Sequence, residues 1–235
     1  MNDATAHLDT FHHWSLVHWT VIAVTIVIAG SLAAWRHAWR GQPRARTLDR
    51  TLALAVAAAW IITNTWQLLR PGRQLVSSLP IHYSDLILAA VAVALWSTWR
   101  WPRTLVYFWG LAFGTLVFIT PDLRDGPTRI GFWFFWSGHV IITAGVAYEV
   151  MGRDYRPAWR DWALAVGLAV AYIAAVLPLN AMTGYSYGYV GPDRPSQPAL
   201  LTLMGPWPLR VLPMILLGTL VMALLVLPWR FGRRR

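Results

Sequence analysis

Apolar residues fall in seven long runs, parted by short stretches rich in arginine, proline and glycine. The runs cover residues of about 14–34, 48–69, 80–99, 104–120, 130–151, 162–179 and 207–229. Each is near the roughly 20 residues a helix needs to cross a bilayer's hydrocarbon core. The pattern predicts an all-α integral membrane protein, a single domain over residues 1–235 built as a bundle of about seven transmembrane helices. No stretch remains for a separate soluble domain, and no internal repeat or low-complexity linker is visible. Residues 1–13 are polar but hold no Lys or Arg. A secretory signal would open on a basic segment, so the first run is expected to be a retained span.

Composition supports the membrane class. Hydrophobic residues make up 57% of the chain, above the roughly 45–50% of soluble domains. The net charge of +10 raises the question of nucleic acid, but the basic residues are all arginines, set in clusters between apolar runs. That is the form of a topology signal. Arg70, Arg73, Arg124, Arg129, Arg194 and Arg210 fall on one side of a seven-span chain, and the other 14 of the 20 on the opposite side. The positive-inside rule then places the N-terminus outside and the C-terminus in the cytoplasm. The absence of cysteine excludes disulfides, a thiolate nucleophile and Cys-ligated metal.

Polar residues gather toward the outer ends of the spans: His18, Asn64, Gln67, then His82, Ser84 and Asp85, then Asp122 and Asn180. His139 lies nearer the middle of span five. Ionisable groups in a membrane segment are costly and are functional candidates by default. A polar cavity open to the outer leaflet is expected, organised around Leu79-Pro80-Ile81-His82-Tyr83-Ser84-Asp85. At about 100° per residue, His82 and Ser84 are nearly opposite on one helix. A base for Ser84 should therefore come from another helix, and His139 is the obvious donor. A serine hydroxyl is a weak nucleophile until a base takes its proton, and histidine titrates in the right range. His82 and Asp85 share a face, suited to pairing or to orienting a head group. Ser84 lies roughly 6 Å and His139 roughly 14 Å into their spans; a start of span three near Ser77 would close most of that gap. The loop of residues 180–206 is expected to fold over the mouth and bring Tyr187 near His82.

Plainer readings stand beside these. A membrane serine often bonds its own helix, histidines can join helices, and Tyr185, Tyr187 and many tryptophans fit an interfacial belt. Pro206 and Pro208 suit a helix start, and the terminal arginines a topological role. A seven-span zinc hydrolase would use His18, His82, Asp85 and His139, but no span carries a His-x-x-x-His pair. A non-enzymatic lipid binder or transporter is a third class.

Several stretches together resemble one family. They are the motif at 79–85, Phe108-Trp109-Gly110, Thr120-Pro121-Asp122-Leu123, Gly138-His139, Leu179-Asn180, Tyr185-Ser186-Tyr187-Gly188-Tyr189 and Gly205-Pro206-Trp207-Pro208, in order over about 79–229. The chain resembles the YwaF family of bacterial integral membrane proteins, related to a eukaryotic transmembrane acyltransferase of ether phospholipids. It is more distantly similar to the androgen-induced membrane hydrolases, which use threonine with histidine. The resemblance implies a bacterial inner-membrane, multi-pass acyltransferase or transacylase, with a phospholipid or other lipid acyl ester as substrate and no cofactor, metal or nucleic acid. With water as acceptor the same site would be a lipid hydrolase. Ser84 stands where the family has its acyl-accepting cysteine, and His139 matches the partner histidine. Arg194-Pro195 replaces the family's lysine-proline, which keeps a positive charge near a phosphate. His82, Asp85, Asn180, Tyr185 and Tyr187, with His18, Asn64, Gln67 and Asp122, would line the substrate site.

Overall fold

The computed structural model describes residues 8–71, 75–192, 201 and 203–231. Arg73, Arg194 and the terminal arginines 233–235 lie outside them. The elements are helical: α1 (Leu16–Ala38), α2 (Pro43–Leu69), α3 (Tyr83–Trp96), α4 (Arg100–Trp109), α5 (Ile130–Ala147), α6 (Trp159–Thr183), α7 (Val211–Leu224) and its short continuation α8 (Leu227–Phe231). Among the described residues there is one isolated bridge, Thr10 with Asp125, and no strand. This is an all-α membrane protein. Five helical stretches are long and apolar enough to cross a bilayer: Leu16–Ala38, Pro43–Leu69, Ile130–Gly152, Trp159–Thr183 and Val211–Arg230.

Spans three and four differ from the expected lengths, each for a local reason. α3 has only 14 residues. Pro80 disfavours a helical Leu79, and Ile81 N–H instead bonds Leu79 O at 2.8 Å. Helix begins only after His82, whose N–H is taken by the Asp85 carboxylate at 3.1 Å, half of a capping box. The stretch Leu75–Ser78 is a separate 3-10 turn, so α3 does not reach back to Ser77. α4 passes into a π turn at Gly110–Gly114 and a 3-10 turn at Leu116–Phe118. The seventh helix starts at Val211 rather than at 207, because Gly205 to Arg210 are spent on turns, including a cis Trp207–Pro208 bond.

α3 is central. It packs against α2, α4 and α5; α1 lies on α5, α6 on α4, and α7 on α6. Half of α3 is buried: Asp85, Ile87, Leu88, Ala90, Val91, Ala94 and Leu95. A short helix is tolerated at membrane depth where protein covers it. The outer faces carry exposed Ile26, Val27, Leu54, Ile61, Ile62, Leu216 and Leu220, as lipid contact requires. Lipid gives helices no hydrophobic drive to associate, so close approach through small residues matters. A Cβ added at Gly110 would stand 2.7 Å from Val146 Cγ2, one at Gly114 2.8 Å from Ile142 Cγ2, and one at Gly145 3.0 Å from Val91 Cγ2. These glycines let α5 settle against the π turn of α4 and against α3.

Candidate functional site: a capped mouth at the start of the central helix

Ser84 sits in the first turn of α3 and is half-buried. Other hydroxyls in the bundle donate to a carbonyl four residues back: Thr25, Ser97, Thr104, Thr115 and Thr183, at 2.6 to 3.0 Å. The Ser84 hydroxyl makes no such bond, and none to any other described residue. Its direction follows from Leu88, one turn on and on the same face. Leu88 Cδ1 lies 3.5 Å from where a Gly138 Cβ would be. Ser84 therefore faces α5, about one turn, roughly 5 Å, above the Gly138 contact.

His139 follows Gly138 and is turned about 100° from it. That side of α5 also carries Ile142 and Val146, which touch Gly114 and Gly110. That side of α5 faces the π turn of α4, and the imidazole packs on Phe135 of its own helix, ring centroids 4.6 Å apart. Its Nδ1 is 2.7 Å from Phe135 O. A carbonyl only accepts, so Nδ1 carries the proton and Nε2 holds the lone pair of the neutral ring. Ser84 and His139 are not hydrogen-bonded to each other. By helical period their positions fall on adjoining faces of α3 and α5, roughly one turn apart in depth.

The mouth above Ser84 is built by loop backbone. The His82 ring is exposed and packs on Tyr187, ring centroids 4.6 Å apart. The loop after α6 thus folds onto the start of α3. Asn180, fully buried, clamps it: its Nδ2 donates to Tyr187 O and its Oδ1 accepts from Tyr187 N–H, both at 2.9 Å. The Tyr187 hydroxyl donates to Val76 O. Gly188 has φ +63°, and a Cβ there would come within 2.8 Å of Tyr172 Cε1 and 3.2 Å of Tyr83 Cε2, so only glycine lets the loop lie on these rings. Tyr83 fills a box of Trp109, Phe113 and Tyr172, and the Tyr172 hydroxyl donates to Ile81 O at 2.8 Å. Trp207 Nε1 and Arg210 Nη2 bind Val190 O and Gly191 O at 3.0 and 2.7 Å.

The other polar positions divide. Asp85 is buried, its carboxylate on the His82 backbone rather than the His82 ring. Its carbonyl accepts from Trp60 Nε1 at 2.9 Å. Asn64 is buried and bonds back to Trp60 O. Gln67 and Tyr185 are half-buried, and Asp122 is exposed. His18 is fully buried in a separate aromatic nest with Phe11, Trp14 and Trp136, and its Nδ1 accepts from Trp14 N–H at 3.1 Å. Among the described residues no group of three or more His, Asp or Glu side chains is placed to hold a metal ion.

A second polar layer, at the other end of the bundle, was not read as a site from the sequence. Glu149, 1% exposed, takes Arg103 Nε and Arg153 Nη1, both at 2.6 Å. Asp49 takes Arg36 Nε at 2.8 Å and the Tyr148 hydroxyl at 2.6 Å. Arg153 also donates to Ala94 O and Ser97 O, closing the C-terminal end of α3. Arg100 binds Asp161 at 2.6 and 2.7 Å. These loop arginines are thus structural ties, beyond any topological role. Glu149 lies in a π turn, Tyr148–Gly152, that prolongs α5. Arg40 donates to two carbonyls of that turn, Met151 O and Gly152 O. The available signal is that Asp49, Glu149 and Asp161 each lie close to an arginine in the sequence, near Arg50, Arg153 and Arg160.

No curated protein and no solved structure matches the chain. One family model does, the TMEM164 family, over residues 13–226, which takes in the mouth, His139 and the charged layer alike. This multi-pass membrane protein therefore belongs to the TMEM164 family.

Proposed function

We propose that the chain is a membrane-embedded lipid acyltransferase or transacylase acting on phospholipid acyl esters, with Ser84 as nucleophile and His139 as its base. The observation that carries this is the uncommitted Ser84 hydroxyl facing α5, where a histidine is fixed in the tautomer that presents a proton-accepting Nε2. Family membership supports a membrane lipid-related function.

Ser84 Oγ attacks the ester carbonyl while its proton passes to His139 Nε2. The lipid alkoxide leaves with that proton, and the acyl group stays on Ser84. A second lipid hydroxyl then attacks the acyl-serine, giving its proton to Nε2. Ser84 Oγ leaves and takes the proton back. Water as acceptor turns the same sequence into ester hydrolysis. The one-turn offset must close as substrate binds, since catalytic contacts often tighten only in the complex. His82, Tyr187 and the clamped loop frame the opening through which a head group enters. The arginine asymmetry supports an N-terminus outside, a C-terminus in the cytoplasm and a mouth at the outer leaflet of a bacterial inner membrane.

The test is acyl exchange by purified, reconstituted protein, with lipid products resolved by mass. Ser84→Ala should abolish exchange and Ser84→Cys should retain it. Full exchange by Ser84→Ala would overturn the assignment and leave a lipid-binding protein that lacks this chemistry.

A further inference from the structure

At the end of the bundle opposite the mouth, the start of α6 and the last turn of α8 enclose a cleft of about 680 Å³. Its walls are Arg156, Pro157 and Trp159 on one side and Pro228, Trp229 and Arg230 on the other. The two arginines cross it. Arg156 lies over the Trp229 ring, Cζ 4.7 Å from the centroid, and Arg230 over Trp159 at 5.6 Å. The walls are held from behind. Trp229 Nε1 donates to the Tyr107 hydroxyl at 2.8 Å, which donates to Leu225 O at 2.8 Å. Arg100 Nη2 binds Arg156 O at 2.9 Å. A guanidinium held over an indole face keeps N–H donors that the ring does not use, and these match phosphate oxygens in pairs.

The charge around the cleft is only partly compensated. Arg230 makes no ion pair among the described residues. Arg156 has only Asp154, at 2.5 Å, in an exposed pair, and Asp154 is shared with Arg40 at 3.0 Å. Asp161 is consumed by Arg100, with the α6 cap at Ala158 N–H. Two tryptophans supply an amphipathic rim of the kind found at membrane interfaces, and basic pockets between helices there receive anionic head groups. We propose that this cleft binds a phosphate-bearing ligand, the head group of an anionic phospholipid, at a site separate from the mouth.

The experiment uses the full chain in phosphatidylcholine nanodiscs, exchanged against phosphatidylglycerol, with bound lipid counted by native mass spectrometry after release. Inorganic phosphate is titrated in a parallel arm. Wild type should retain one phosphatidylglycerol that the R156Q/R230Q double variant holds roughly tenfold more weakly, while the neighbouring R160Q, outside the cleft, retains it. R156K/R230K keeps charge but loses the planar fork and should fall between, which tests the site even where the glutamine variant folds poorly. Displacement by millimolar inorganic phosphate would keep the phosphate chemistry and assign a soluble source. Equal retention by wild type and R156Q/R230Q, or equal loss in R160Q, overturns the cleft as the site.

Discussion

The two ends of the bundle handle polar groups in opposite ways. At one end Glu149, Asp49 and Asp161 are buried, and each carries at least one arginine at hydrogen-bond distance. At the other end the side chains that could do chemistry are left with capacity. Ser84 has no partner among the described residues, and His139 spends one nitrogen on its own helix. Even there Asn180 and Asp85 are tied to the backbone of the frame. A buried charge without a partner costs several kcal/mol, so pairing marks an end built to hold. Open capacity beside a rigid frame is what the chemistry proposed at Ser84 requires.

The contrast can be broken most sharply at Glu149. Glu149→Ala leaves Arg103 and Arg153 facing each other without their carboxylate, and removing one partner of a buried pair costs about 3–5 kcal/mol. The expected outcome is a large drop in thermal stability in detergent. Ser84→Ala and His139→Ala should leave the melt nearly unchanged while lowering acyl transfer at least 100-fold, on the order of what general-base catalysis contributes. Rates for the Ser84→Ala/His139→Ala double variant should match the single ones, because groups that act as a unit are not additive. A melt that fell as far for Ser84→Ala as for Glu149→Ala would erase the distinction.

Asn180→Ala tests the frame of the reactive end. It strips partners from a buried N–H and a buried C=O of Tyr187 at about 1–3 kcal/mol. Faster proteolysis within the loop after α6, with the bundle intact, is the expected signature. Asp154→Asn should matter least: its arginines are exposed, and such pairs contribute at most about 1 kcal/mol. Since the chain has no cysteine, single cysteines at Tyr189 and Arg156 give a clean test of sidedness. Membrane-impermeant reagent should reach the first in intact cells and the second only after permeabilisation; labelling of both from one side would remove the proposed orientation.

The helices were legible because membrane helices announce themselves by length and hydrophobicity. The start of α3 was less so: Pro80 only disfavours an earlier start, and a His-x-x-Asp cap is not the usual signal of an N-terminus. Approach of Tyr187 to His82 could be read from a loop joining two spans on one side. The charged layer could not, since Arg36 meets Asp49 across 13 residues, but Arg103 meets Glu149 across 46. No helical period links positions so far apart. The π turns at Gly110 and Tyr148 were equally hidden, because they express packing between helices rather than a local preference. Asn180 was read as a substrate contact because a buried amide looks alike in sequence whether it meets a ligand or its own loop.

The shortness of α3 carries a consequence for the membrane around it. Its 14 residues rise only about 21 Å, against a hydrocarbon slab of about 30 Å. With its C-terminal end tied into the charged layer at one surface, its first turn stops well short of the other. Upright in a bilayer, such a helix would hold Ser84 among acyl chains rather than level with the ester groups above them. A lipid must descend, or the leaflet must dimple, for an ester to reach that depth. For the proposed acyl transfer, bilayer thickness would then control turnover: shorter-chain lipids should bring their esters down to the serine, and thicker membranes should hold them away.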